Sequence, residues 1–216
     1  MKKIFMTLAA VAVAATMNAQ LYVGGQLGFT SETNKNEVSA AGTTTSTEIT
    51  STSFNFGPEV GYKLNDKMAV GMYLGINTSE VKPAAAPGTE IKNTRTGFEI
   101  KPYFRYTFVN FGKVSLFADG EIGYEFSNTK REVTTAGTTT STETKNNGFH
   151  IAVIPGVAFQ ASDRISFVAK LGNGLGYWFE KQENPAAPGT TDENKISRFG
   201  FDVNSLGLSF GAYYNF

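Results

Sequence analysis

From Val114 to Phe126 the chain alternates with a period of two. Val114, Leu116, Ala118, Ile122, Tyr124 and Phe126 fall on one side, and Ser115, Asp119, Glu121, Gly123 and Glu125 on the other. Successive side chains of a β-strand point to opposite faces, so this pattern predicts a strand with one apolar and one polar face. The same rhythm returns at 98–108, where Phe98, Ile100, Phe104, Tyr106 and Phe108 alternate with Glu99, Lys101, Arg105 and Thr107. It returns again at 68–77 and at the C-terminus, where Leu206, Leu208, Phe210, Ala212, Tyr214 and Phe216 share a parity. Eight strands are predicted, near 20–30, 51–64, 67–79, 93–108, 113–127, 147–160, 164–180 and 198–216.

The gaps between them alternate in length. Long ones cover 31–50, 80–92, 128–146 and 181–197; short ones fall at Asn65-Asp66, Val109 to Gly112 and Ala161 to Asp163. Pro58, Pro102 and Pro155 lie inside strands, where a bulge is expected because proline cannot donate to the ladder. The apolar parity also slips between Val203 and Leu206, which predicts a one-residue bulge near Asn204-Ser205.

Alternation alone fits a soluble sandwich as well as a membrane barrel. Three features favour an eight-stranded, antiparallel, up-and-down transmembrane β-barrel. Short turns at one end and long loops at the other are the pattern of such barrels. Aromatics gather at both strand ends: Phe29, Phe54, Phe98, Tyr124, Phe126, Phe149, Tyr177 and Phe179 on the loop side, and Tyr62, Phe108, Phe111, Phe159, Tyr214 and Phe216 on the turn side. Two aromatic girdles match two membrane interfaces. The third feature is the ending SFGAYYNF, in which Ser209, Gly211, Tyr214 and Phe216 resemble the signal read by the outer-membrane barrel-assembly machinery.

The N-terminus fits this picture. Lys2 and Lys3 precede a mostly apolar stretch from Ile4 to Ala15, and Met17-Asn18-Ala19 precedes Gln20. That is the layout of a secretory signal peptide over residues 1–19, too short to span as a helix. Without Lys2 and Lys3, 17 basic residues face 19 acidic ones, and no basic block suggests a nucleic-acid partner. The chain has no Cys, which excludes disulfides, thiolate metal sites and thiol nucleophiles. No cofactor or metal is expected.

The expected barrel domain, 20–216, is internally repetitive. EVSAAGTTTSTE (37–48) resembles EVTTAGTTTSTE (132–143), and LYVGGQLGFTSETNK (21–35) resembles LFADGEIGYEFSNTK (116–130). These and weaker matches predict a duplicated four-strand unit, about 20–112 and 113–216.

On its architecture, C-terminal motif and Gly-aromatic pattern, the chain over 20–216 resembles the OmpX/OmpA-like outer-membrane β-barrel domain family. The resemblance implies the outer membrane of a Gram-negative bacterium, outer-membrane lipid and the assembly machinery as partners, and roles such as adhesion or envelope stability. It implies no family-wide catalytic site. A peptidoglycan-binding domain of the OmpA type is not expected.

An eight-stranded barrel is just wide enough for side chains to fill it. The charged inward residues Glu59, Lys101, Arg105, Asp119, Glu121 and Lys170 are therefore expected to form a lumenal salt-bridge network, with Arg105 and Lys101 beside Asp119 and Glu121. Lys63, Glu99 and Glu125 share that inward parity. A narrow ion or solute path is the alternative. His150 is the only histidine; Ser141 and Glu143 are the nearest partners for lipid-modifying catalysis, and both fall in a predicted loop. An inward, polar His150 near the outer rim is the simpler expectation, and Trp178 is expected inward there too. The Thr/Ser-rich stretches 43–47 and 138–142 predict solvated, disordered loops, or a surface that is adhesive toward a host or envelope ligand, or glycosylated.

Overall fold

The computed structural model describes residues 20–40, 43–86, 88–172, 174–185, 191–202 and 208–216. The signal-peptide segment 1–19 and the bulge expected at Asn204-Ser205 lie outside these residues.

The described strands are β1 (Leu21–Ala40), β2 (Thr43–Lys63), β3 (Met68–Lys82), β4 (Thr89–Phe111), β5 (Val114–Thr135), β6 (Thr138–Gln160), β7 (Ile165–Lys170), β8 (Gly174–Pro185), β9 (Thr191–Asp202) and β10 (Ser209–Asn215). Every pairing is antiparallel. β1 to β7 follow one another, β10 joins β7 to β1, and the ring closes as eight staves. β8 carries the line of β7 upward along β6, and β9 pairs with β8 as the upper part of the last stave. Closure leaves no edge strand at this level and satisfies the backbone inside lipid.

The barrel is inside out relative to a soluble sandwich. Its exposed rows are apolar: Ile76 is 57% exposed, Phe29 66% and Phe210 59%. Its buried residues include Glu59, Arg105, Asp119, Glu121 and Lys170. From Met68 to Ile76 the outward row of β3 is unbroken apolar, and at about 3.3 Å per residue and a tilt of about 40° it covers about 20 Å. That is close to the height of a membrane band.

The loop expectations need correction. Residues 31–40 pair with 43–52, and 128–135 with 138–145, so both Thr-rich stretches are β-hairpins rather than disordered loops. Ala136 (φ 50°) and Gly137 (φ 79°) make the two-residue turn between Thr135 and Thr138. Two left-handed residues in a row match the twist of flanking strands and hold the hairpin tight. Above the membrane both faces meet water, so the period-two signal fades while β-branched threonines keep the strand conformation.

The proline expectation also fails in part. The β1–β2 register runs straight through Pro58 and the β3–β4 register through Pro102. A proline on the lipid face drops one ladder bond without displacing the chain. The register does shift between Thr107 and Val109. It shifts again opposite Pro155, where β7 gives way to β8 while β6 continues.

Candidate functional site: a charged plug in the lumen

The lumen is built in layers, each made by inward residues from neighbouring strands. Near the periplasmic end the Asn215 amide donates to Ser166 Oγ at 2.8 Å, and Ser166 Oγ donates to Gln160 Oε1 at 3.0 Å. Above it lies an aromatic layer of Tyr22, Tyr103, Phe117 and Tyr213. The Tyr22 and Tyr103 hydroxyls sit 2.6 Å apart, and the Tyr22 and Tyr213 rings are 5.2 Å apart. Each large ring needs a gap beside it. Tyr103 lies over Gly71, its register partner, where a Cβ would collide with the ring. Glycine beside an aromatic on the next strand is how this narrow barrel fits such rings.

The charged layer rests on these rings. Arg105 and Asp119 are register partners on β4 and β5. Arg105 Nε donates to Asp119 Oδ1 at 2.7 Å and Nη2 to Oδ2 at 2.9 Å, a bidentate fork. Lys170 Nζ reaches Asp119 Oδ2 at 2.8 Å from β7. Glu59 Oε1 faces Arg105 Nη2 at 3.6 Å, and Glu59 Oε2 accepts from the Gln26 amide. The Arg105 guanidinium lies 4.1 Å from the centre of the Phe117 ring. Asp119 is wholly buried and Glu59 nearly so. Two bases and two acids thus neutralise one another where isolated charges would be very costly.

Lys101 and Glu121 sit one level higher and pair differently from the sequence expectation. Lys101 Nζ binds Glu99 at 3.1 Å and lies 4.4 Å from the centre of the Tyr73 ring. Glu121 Oε1 is 3.2 Å from His150 Nε2. The reason is register: Glu121 stands opposite Tyr103, so Lys101 is only its diagonal neighbour. His150, expected as an inward polar residue near the outer rim, also belongs to this network, although its pairing with Glu121 was not foreseen. Its signal was there, because it is inward by parity and diagonal to Glu121 on the adjoining strand. Ser141 lies far up β6, opposite Glu132, and is no partner of His150. At the rim Arg95 Nη2 bridges Glu125 at 3.1 Å and Glu180 at 3.0 Å, and Arg198 stacks on Trp178 at 4.9 Å.

The plug separates two chambers. The lower, of about 270 Å³, is bordered by Tyr22, Arg105, Phe117 and Tyr213; the upper, of about 350 Å³, by Gln26, Lys101, Glu121, His150, Lys170 and Trp178. Among the described residues no group of acids and histidine is arranged to hold a metal ion.

The four C-terminal motif residues take part in closure. Ser209 Oγ donates to Gln26 Oε1 at 3.3 Å, and a Cβ at Gly211 would press against Val168, Gln26 and the Gly25 carbonyl at 2.9–3.0 Å. Tyr214 accepts from Arg164 at 3.1 Å, its ring packs edge-on to Phe216 at 5.0 Å, and the Phe216 N–H donates to the Leu21 carbonyl at 3.0 Å.

A closed antiparallel ring with an apolar exterior and a polar filled lumen defines an outer-membrane β-barrel protein. The chain belongs to the outer membrane protein β-barrel domain family, whose model matches residues 4–216. It is a protein of the Gram-negative outer membrane. Among solved structures it is similar to neisserial surface protein A (NspA), with 15% identity, a TM-score of 0.33, and 91% of this chain and 97% of that one covered. It is also similar to the outer membrane protein OprG from Pseudomonas aeruginosa, with 12% identity, a TM-score of 0.39, and 91% and 96% covered. The translocator domain of the autotransporter NalP from Neisseria meningitidis matches at 11% identity and a TM-score of 0.26, with 100% and 95% covered. No curated protein matches the chain.

Proposed function

We propose that this barrel is a non-enzymatic anchor that presents its hairpins to a ligand at the cell surface. The observation that carries this reading is the β5–β6 hairpin, paired residue by residue from Asn128↔Lys145 to Thr135↔Thr138. At about 3.4 Å per residue it projects roughly 25 Å beyond the apolar band. β4 flanks it from Thr89↔Thr135 downward, so the projection is a small sheet rather than a lone ribbon. A two-stranded ribbon is marginal in water, and a third strand stiffens it. Its tip displays hydroxyls on both strands; the Thr134 and Thr139 hydroxyls are 2.8 Å apart. A rigid hydroxyl-rich edge suits a hydrogen-bonding partner such as a saccharide or an extended peptide.

Two deletions test the reading, one of residues 31–50 and one of 128–146. Both variants are expected to keep a boiling-dependent mobility shift on SDS gels while whole-cell binding to a surface ligand is lost. Binding that survives both deletions removes the proposal.

A second reading, a narrow ion path, draws on the two chambers that meet at one charged layer. Planar-bilayer recordings of wild type and Arg105→Met test it. Steady conductance that rises in the variant supports conduction, and silence in both removes it.

A further inference from the structure

Gln20 follows the expected cut after Ala19, and it is the first of the described residues. Its backbone carbonyl accepts from the Lys63 N–H at 2.7 Å, which carries the β1–β2 ladder one step beyond Leu21↔Tyr62. On the other side the Phe216 N–H donates to the Leu21 carbonyl at 3.0 Å. The start of β1 is thus fastened from both neighbouring strands at the periplasmic rim. The side chain of Gln20 is held as well, because the Tyr62 hydroxyl donates to its Oε1. Tyr62 is the register partner of Leu21, so the ladder itself keeps that hydroxyl beside the preceding side chain. Gln20 is exposed, and its amide carbon is open to attack.

A glutamine at a chain N-terminus carries its own nucleophile. Attack of the α-nitrogen on Cδ closes a five-membered ring, and a reaction within one residue needs no encounter between molecules. An ordinary α-amine, with a pKa of about 8, is partly unprotonated at neutral pH.

We propose that Gln20 becomes the mature N-terminus and closes to pyroglutamate with the help of Tyr62. The proposal rests on residues 1–19 being a cleaved leader and is independent of any ligand at the hairpins. The neutral α-nitrogen attacks Cδ, and the N–Cδ bond forms as negative charge gathers on Oε1. The Tyr62 hydroxyl, already donating to that oxygen, stabilises the charge as it develops. The carbonyl then re-forms and the Cδ–Nε2 bond breaks. The proton shed by the α-nitrogen goes to Nε2, which leaves as ammonia. No oxidant, reductant or second substrate enters. The lactam removes a positive charge from the residue that opens β1 and leaves no free amine for an aminopeptidase. The backbone carbonyl of Gln20 keeps its bond to Lys63 throughout.

Intact-mass spectrometry of the protein purified from outer membranes tests the site. A chain that begins at Gln20 and is lighter by one ammonia is expected. A different first residue overturns the cut and leaves the closure without a substrate; a chain from Gln20 that keeps its ammonia overturns the closure alone. The role of Tyr62 is read as a rate. Refolded precursor is cut with purified signal peptidase, and the loss of ammonia is followed by mass from that moment. Tyr62→Phe is expected to close about ten-fold more slowly, since a solvated donor counts for less than the roughly hundred-fold of one in a buried oxyanion site. Tyr177→Phe, at the other end of the barrel, is expected to match wild type, and Gln20→Glu, which lacks the amide, to stay open over the same interval. Unboiled gels confirm that the variants are folded. Wild type unfolded in urea loses the Tyr62 contact without any substitution and is expected to slow by a similar factor. An unchanged rate in Tyr62→Phe or in urea overturns the assistance by Tyr62.

Discussion

Two ion pairs of nearly equal length frame the chemistry of this barrel. Lys170 and Asp119 meet at 2.8 Å in the lumen, with side chains 8% and 0% exposed. Lys130 and Glu132 meet at 2.7 Å on the outer collar of lysines and glutamates above the apolar band, with side chains 45% and 31% exposed. Their distances do not tell them apart; their surroundings do. The lumenal charges have lost their water and depend on one another. The collar charges keep theirs, so each can part from its partner at little cost.

Breaking the lumenal side should have the largest effect. Arg105→Met leaves the buried Asp119 with Lys170 alone and Glu59 without its facing guanidinium. Breaking one partner of a buried pair typically costs about 3–5 kcal/mol. Urea titration of the barrel in lipid vesicles should show that loss as a lower midpoint with an unchanged slope. The double variant Arg105→Met/Asp119→Leu should cost clearly less than the sum of its single changes, because the orphaned carboxylate is gone. Additive losses would mean that the two residues do not act as a pair. Lys130→Met, the matching change on the collar, should move the same midpoint by the equivalent of at most about 1 kcal/mol.

A smaller effect tests the layer on which the plug rests. In Gly71→Val the new side chain meets the Tyr103 ring, which must then leave the Tyr22 hydroxyl. Overpacking of this kind costs about 1–3 kcal/mol. The same urea titration measures it, and a combined Gly71→Val/Tyr103→Ala variant should recover part of the loss by restoring room. No recovery would mean that the glycine matters for backbone reasons and not for the ring.

The same contrast of surroundings explains what could be read from the chain. Strands inside the membrane were legible because lipid and lumen differ sharply, so residues such as Ile122 and Glu121 declare their faces. The hairpins were not, because Lys130 and Thr129 both meet water and alternation carries no information there. Register faults divide in the same way. Phe199 and Phe201 are exposed at odd positions, and Phe210 and Tyr214 at even ones. A change of parity of this kind shows in the sequence. The break between β7 and β8 leaves Ile165, Phe167, Leu175 and Tyr177 all exposed at odd positions. An even insertion keeps parity and stays hidden. The charged plug was partly legible: parity put Glu59, Arg105, Asp119 and Lys170 inward, but only register could assign Lys101 to Glu99 and Glu121 to His150.

The smallest effect belongs to a solvated cluster on the collar, where Lys181 meets Glu193 at 2.7 Å and Glu183 at 2.9 Å. Hydrogen bonding to Lys181 holds the Glu193 carboxyl below its usual range. A carboxylate so depressed stabilises the fold above its unfolded pKa, and that contribution fades as pH falls through the folded value. The Lys181 ammonium is raised by the same bonds to Glu193 and Glu183, so its share is lost only at strongly alkaline pH. Lys181→Met should therefore lower the melting temperature at neutral pH by no more than about 2 °C, since such pairs are screened by solvent. The difference should shrink as pH falls below about 4, the ordinary carboxylate range, and vanish only once the depressed Glu193 carboxyl has taken up its proton; it should vanish also in about 1 M salt, where the screening length falls to about 3 Å. A difference that persists in acid and in salt would show that Lys181 contributes through the packing of its stem and not through its charge, and the collar would then resemble the lumen more than its exposure suggests.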